Sequence, residues 1–311
     1  VSGHVAQLAR RVEDEGRLDV AALVATMSPA RLDGWFRCQQ QWWFIYVEGR
    51  RRPPNGPIIY GRAFDAATDS TYLSKKVHGE TPLPKVAAEF YAAGFEREVA
   101  LSGGVDWGET TAAKLKDHGA WLAREWAARI APHVTPREVQ KSIVSYLEAD
   151  ADQRLENEAA GIDAGVELRG NVDLVGDAPV ALAAETQKLH EPTGARAAVV
   201  IDHKTSGKRW SAESATRSTQ AMVYALAEHV DHVQFHVGVR TKIPGLQVVP
   251  RAVTPSDKRF IVRSIFTARR QIAHAIRSGD VLPNRQSLLC SQTWCGFWRE
   301  CVERHGGVVP E

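Results

Sequence analysis

The segment Val199-Val200-Ile201-Asp202-His203-Lys204-Thr205-Ser206 constrains this chain more than any other. Apolar residues open a strand there, and the strand ends in Asp-x-Lys. Successive side chains on a strand alternate faces, so Asp202 and Lys204 point one way and His203 the other. A pair of this kind is either a minor surface ion pair or a working one. In the working case the carboxylate holds a hard divalent cation. The ammonium then steadies an attacking hydroxide or the charge building on a phosphorus atom.

Composition sets wide bounds around this strand. The 311 residues, 44% hydrophobic and 24% charged, suffice for one large domain or for a core with a sizeable insertion. A net charge of +2 neither demands nor forbids a polyanionic partner, and it masks local clusters at Arg50-Arg51-Arg52 and Arg269-Arg270. No apolar run reaches membrane-spanning length, and Val1 to Arg11 does not read as a signal sequence. A cytoplasmic protein with no membrane partner is therefore expected. The four cysteines are too few for a disulfide-stapled secreted fold, and their placement is uneven. Cys38 stands alone, whereas Cys290, Cys295 and Cys301 crowd one short segment. Four thiolates complete a tetrahedral zinc site or hold an iron–sulfur cluster, and four reduced bystander thiols are the plain alternative.

Periodicity places the rest. Ser28-Pro29 suits an N-cap and first helical position, and Leu32, Trp35, Phe36, Trp42, Trp43 and Tyr46 continue at helical spacing with Cys38 riding on that helix. Pro53 to Pro57 breaks it, and Ile58 to Leu73 reads as a second helix, with Gly61 and Asp65 one turn apart. Pro84 to Ile130 is helical throughout. After Pro136 the regime changes. Val139 to Leu147 and Val166 to Val175 read as strands, with Asp150, Asp152 and Asn157 to Gly161 in loops. Ser211 to Val230 is a helix, Val233 to Arg240 and Leu246 to Val253 form a hairpin at Pro244-Gly245, and Pro255 to Ser278 is an amphipathic helix closed by Gly279.

Two further groups have chemical reach. Asp173 lies in the otherwise apolar strand Gly170 to Val175, where a lone acid must be paired, hydrogen-bonded or metal-bound. It is either satisfied by an arginine such as Arg169, or it converges with Asp202 on one cation that removes their repulsion. Gln220 and Tyr224 are one helical turn apart and can hydrogen-bond a phosphate or orient a carboxylate, although such a pair is usually a polar helix edge. The remaining candidates read blandly. His229, His232 and His236 straddle a helix end and a strand start; Glu167 is an outer partner at most; Glu185 is a loop residue. Trp42, Trp43, Trp294 and Trp298 read as core or shielding residues, with base stacking the functional alternative. Arg50 to Arg52 is a plausible phosphate contact.

Taken in order, these elements resemble the RecB-like exonuclease branch of the PD-(D/E)XK nuclease superfamily. The resemblance is carried by Ser28, Leu32 and Cys38, by Gly61 to Asp65, by Gly170 and Asp173, by Asp202 and Lys204, by Gln220 and Tyr224, and by the three late cysteines. It implies an α/β, restriction-endonuclease-like mixed sheet flanked by helices, and cleavage of DNA by a metal-activated water. Catalytic roles then fall on Asp173, Asp202, Lys204, Gln220 and Tyr224. Mg²⁺ or Mn²⁺ would be held by Asp65, Asp173, Asp202 and the backbone carbonyl of His203. The cysteine pattern is similar to the iron–sulfur subgroup, which includes CRISPR-associated RecB-like and AddB-type nucleases. By that likeness Cys38, Cys290, Cys295 and Cys301 hold a 4Fe-4S cluster and bolt the chain ends together, with Zn²⁺ as the alternative occupant. The spacing Cys290-x4-Cys295-x5-Cys301 has a wider first gap than the x2 common in the subgroup.

One departure stands out: Asp65 occupies the position where the subgroup usually has a metal-binding histidine. A carboxylate is a harder ligand that suits Mg²⁺. The retained Asp173, Asp202 and Lys204 favour activity over a silent site. The expected organisation is an N-terminal helical segment over 1–27, then the nuclease domain over 28–311. Within that domain we expect a helical insertion at about 75–133 and a cysteine-bearing tail at 285–305. The expected function is a DNA exonuclease acting on single strands or ends, of the kind used in repair and recombination, with room for a helicase or recombination partner. The rival expectation is a non-catalytic DNA-end-binding module.

Overall fold

A computed structural model describes residues 19–180, 184–185, 188–189, 195–242, 244–287 and 289–306. In chain order the elements are α1 (Val20–Ala25), β1 (Thr26–Met27), α2 (Pro29–Arg37), α3 (Gln39–Tyr46), α4 (Gly56–His78), α5 (Pro84–Leu101), α6 (Ala112–Arg129), β2 (Thr135–Glu148), α7 (Ala151–Ala159), β3 (Gly165–Pro179), β4 (Ala184–Glu185), β5 (Lys188–Leu189), β6 (Arg196–Ser206), α8 (Ala212–Thr216), α9 (Thr219–Ala227), β7 (His232–Val239), β8 (Gly245–Ala252), α10 (Pro255–Ser278) and α11 (Trp298–His305). They fall into two compact units. One takes in the described residues up to 52, those of 143–170 and those from 259 onward; the other takes in 53–142 and 171–258.

The unit of 53–142 and 171–258 is built on a mixed sheet. The second half of β3 runs antiparallel to β6, from Leu174 opposite Ile201 to Pro179 opposite Arg196. β6 and β7 are parallel, β7 and β8 antiparallel, and β8 pairs antiparallel with β4. The apolar strand read from sequence is therefore central, which explains why Val199, Val200 and Ile201 are fully buried. Helices α4, α5 and α6 share one core with the sheet: Tyr60, Phe64, Phe95 and Trp126 join Leu174, Val199, Ile201 and Val248. Each such aromatic contributes roughly 1.5–3 kcal/mol by leaving water. Helix α9 packs against β6 and β7. The expected mixed sheet flanked by helices is present.

In the other unit β1 pairs in parallel with the start of β3, at Thr26 with Glu167 and Met27 with Leu168. Arg269, fully buried, donates to the Val24 carbonyl at 2.7 Å and the Asp163 carbonyl at 3.3 Å, so this half of the Arg269-Arg270 pair is a structural tie. Trp35 donates its indole N–H to Gln271 at 3.0 Å.

Several boundaries differ from the sequence reading. Cys38 does not ride on a helix: it has extended backbone (φ −165°) and separates α2 from α3. Asp150, Asp152 and Asn157 are helical or capping rather than loop residues. The Asp150 side chain accepts from Gln153 N at 2.8 Å, the Gln153 side chain accepts from Asp150 N at 3.1 Å, and this capping box starts α7. The helical stretch from Pro84 breaks between Leu101 and Ala112, and the one from Ser211 breaks where Ser218 caps a new start. α11 lies within the cysteine-bearing tail.

Candidate active site

The antiparallel ladder between β3 and β6 begins at Leu174 opposite Ile201. One step further the register would set Asp173 against Asp202, and there the ladder is replaced by a side chain: the His203 N–H donates to Asp173 Oδ2 at 2.8 Å. N–H and C=O of one strand residue point to the same edge, so the His203 carbonyl faces this edge too. Asp202 is buried, with Lys204 Nζ at 2.6 Å from its Oδ2. Its Oδ1 has no hydrogen-bond partner. Asp173 and Asp202 thus lie on neighbouring strands where these part, with Lys204 beside Asp202.

The His203 imidazole is buried, with its Nδ1 3.8 Å from Asp173 Oδ2. It packs against Phe64, Tyr72, Trp126 and the ring of His236, its register partner on β7. Burial lowers the pKa of both histidines, that of His236 to about 3, so both are neutral. His236 takes the Trp126 indole N–H at 3.4 Å and is a core residue, not a metal ligand.

Helix α4 brings a third acid. A Cβ at Gly61 would stand 3.0 Å from Thr205 Oγ1, so glycine there lets the helix cross close to the end of β6. One turn on, Asp65 feels the charges of Asp173, Lys204 and Asp202. One further turn on, Asp69 accepts from Gln140 Nε2 at 3.1 Å and acts electrostatically on Asp65 and Asp173. Asp69 was not singled out from sequence; its i+4 spacing from Asp65 was the available signal.

The electrostatics follow from crowding acids out of water. Burial, then the Asp202 charge, lift Asp173 from 3.8 to about 7. Burial lifts Asp69 to about 6 against the Gln140 hydrogen bond. Asp65 is raised well above the carboxylate range by burial and by Asp173, and Asp202 is raised by burial against the pull of Lys204. Burial alone would lower Lys204, but Asp202 and Asp173 outweigh it and hold the ammonium charged.

Gln220 and Tyr224 lie on α9, and Gln220 Nε2 donates to Tyr224 Oη at 3.0 Å. Tyr224 in turn donates to the Asn171 carbonyl at 2.5 Å, two residues before Asp173. The pair thus ties α9 to the strand carrying Asp173. Glu167 is engaged by Arg169 on its own strand at 2.6 Å.

In the other unit Cys38, Cys290, Cys295 and Cys301 line one cavity with Phe44 and Phe297. Burial raises the last three thiols, and each also feels Cys38. Asn284 N–H donates to Cys38 Sγ at 3.4 Å, the type of contact that stabilises a sulfur ligand. The Arg50 to Arg52 cluster is largely spent within the protein: Arg50 pairs with Glu48 at 2.7 Å, Arg52 pairs with Glu300, and Arg51 donates to the Ile45 carbonyl at 3.4 Å.

Among the described residues no three His, Cys, Asp or Glu side chains form a group that could hold a metal ion. Only the chemistry of the donor types bears on the implied groups. Hard, mutually repelling oxygens with a buried unpartnered Oδ1 suit a divalent cation, and four thiols around one cavity suit a tetrathiolate group. Among the described residues no helix is long and apolar enough to cross a membrane.

A mixed sheet that gathers acids and a lysine where two strands part defines a class of hydrolytic nuclease fold. The sequence profile of the PD-(D/E)XK nuclease superfamily matches residues 26–302, and the chain belongs to that superfamily. Two solved structures are similar over most of their length. One, named "Putative exonuclease", from Eubacterium rectale, is 10% identical with a TM-score of 0.42, covering 93% of this chain and 96% of that one. The other, SSO0001, is 8% identical with a TM-score of 0.32, covering 90% and 85%. No curated protein matches the chain significantly.

Proposed function

We propose that this nuclease is a Mg²⁺- or Mn²⁺-dependent DNA exonuclease of the RecB-like branch, acting on single strands or ends. One observation carries the reading: Asp173, Asp202 and Lys204 share the gap left where the β3–β6 ladder stops. Asp65, Asp173 and Asp202, with the His203 carbonyl, would hold the cation. When bound, it lowers the pKa of a water and offsets charge on the phosphate. Lys204 is charged, so it serves as a hydrogen-bond donor and counter-charge to the attacking or phosphate oxygen and not as a base. Tyr224 and Gln220 hold the backbone ahead of Asp173 in place. Sequence selectivity is expected to be poor, since nothing in the chain resembles a base-reading module.

Cys38, Cys290, Cys295 and Cys301 are proposed to hold a 4Fe-4S cluster, with Zn²⁺ as the alternative. The domain limits (1–27, then 28–311 with a helical insertion at about 75–133 and a tail at 285–305), the cytoplasmic address and a helicase or recombination partner belong to the same proposal. The test is degradation of end-labelled DNA with Mn²⁺. Asp202→Ala and Lys204→Ala should each lower the rate by at least about 10³-fold while leaving the fold intact. Full activity in either removes the assignment. The presence of Asp65 in place of histidine favours a second reading, a DNA-end-binding module without turnover. EDTA-insensitive binding with no products at any divalent metal would establish it.

A further inference from the structure

Gln140 has φ +51° in the middle of β2, a left-handed backbone that a non-glycine residue in a strand rarely adopts. Such a kink re-aims a side chain, and here it accompanies a defined contact: Gln140 Nε2 donates to Asp69 Oδ1 at 3.1 Å. The side chain is exposed, so burial does not explain the geometry. Asp69 lies one helical turn past Asp65, about 6 Å further along α4. That spacing puts both carboxylates on one face of α4, where Asp69 is within reach of a water on a cation held at Asp65. Mg²⁺ and Mn²⁺ keep several waters when bound, and those waters need acceptors. Fixing Asp69 by a hydrogen bond from one side leaves its other oxygen to accept from such a water.

We propose that Gln140 is a positioning residue. Its kinked backbone aims its amide at Asp69, and Asp69 acts as the outer acceptor for a water of the active-site cation. This rests on the metal reading given above. Outer partners of this kind typically change metal affinity by 10–100-fold when removed. Gln140→Asn tolerates left-handed backbone but is one methylene shorter, and Gln140→Gly relieves the backbone while deleting the amide.

The experiment titrates Mn²⁺ into metal-free protein by calorimetry, for the parent, both Gln140 variants and Asp202→Ala, with a melting temperature for each metal-free protein. Both Gln140 variants should weaken Mn²⁺ binding about tenfold. Their metal-free melting temperatures should equal or exceed that of the parent, a split that a merely structural role would not give. Asp202→Ala should lose the site. Parental Mn²⁺ affinity in both Gln140 variants, with binding lost in Asp202→Ala, overturns the role of Gln140 alone. Parental binding in Asp202→Ala overturns the metal reading on which it rests.

Discussion

Asp173→Asn separates the cost of the acidic cluster from everything else that titrates in this protein. Burial and Asp202 raise Asp173 from 3.8 to about 7. An acid whose folded pKa exceeds its unfolded value holds more protons when folded, so its contribution to stability falls as pH rises through that interval. Roughly three pH units at about 1.4 kcal/mol each give about 4 kcal/mol lost from metal-free protein between about pH 4 and about pH 7. Asparagine cannot lose it, and its side-chain oxygen still accepts the His203 N–H. The buried imidazoles act in the opposite sense. The folded value of His236 is lowered from 6.5 to about 3, and that of His203 well below 6.5, so their contribution is present above 6.5 and lost as pH falls. The parent's own slope therefore mixes both signs, and only the difference between variant and parent is diagnostic. Urea unfolding in chelator from about pH 4 to about pH 8 should show that difference growing by about 4 kcal/mol in favour of the variant, then levelling. Mn²⁺ added at neutral pH should narrow the gap by stabilising the parent. A difference that stays flat across pH refutes the claim that burial and repulsion act on Asp173.

Two more outcomes follow from contacts already described. Tyr224→Phe removes the donor to the Asn171 carbonyl, so kcat should fall about tenfold to a hundredfold while KM for DNA stays near the parent's; an unchanged kcat would show that the tie does not position Asp173. Anaerobically purified protein should be brown and contain iron and acid-labile sulfide. Cys38→Ala should bleach it and lower its melting temperature by on the order of 5 °C. A colourless parent containing zinc would reassign the four thiols.

Most of the acidic site was legible because strand alternation and register are local rules. The period of two put Asp202 and Lys204 on one face, and the apolar run around each strand made the acids conspicuous. Asp69 escaped because a carboxylate on a helix face is ordinary until its tertiary neighbours are known. Gln140 escaped because a left-handed residue other than glycine leaves no compositional trace. The helix over Ala151–Ala159 carried a readable signature, Asp150 followed three residues later by Gln153, that the acidic run obscured. The break at Cys38 has no such signature: α2 and α3 share one apolar periodicity, and only the extended backbone at the cysteine divides them. Arg50 to Arg52 looked available to a polyanion because the sequence does not reveal that Glu48 and Glu300 claim two of them.

The presence of Asp65 in place of histidine bears on whether such a site is weakened or only differently tuned. With Asp173 and Asp202 it sets three potential negative charges against one ammonium, where a neutral imidazole would leave two. The surplus repulsion raises the carboxylates and destabilises the cation-free cluster, and the same repulsion is released when a divalent cation binds. At the proposed site, affinity for the cation would thereby be gained at the expense of metal-free stability. An imidazole ligand must lose its proton to coordinate and gives up metal once pH falls below about 6.5. A carboxylate competes with protons in a different way, through the cluster as a whole. His203 and His236 are neutral among aromatic rings and add no positive charge beside the acids. The proposed site, with Asp65 added to Asp173 and Asp202, would then be tuned toward hard metals rather than reduced to mere binding.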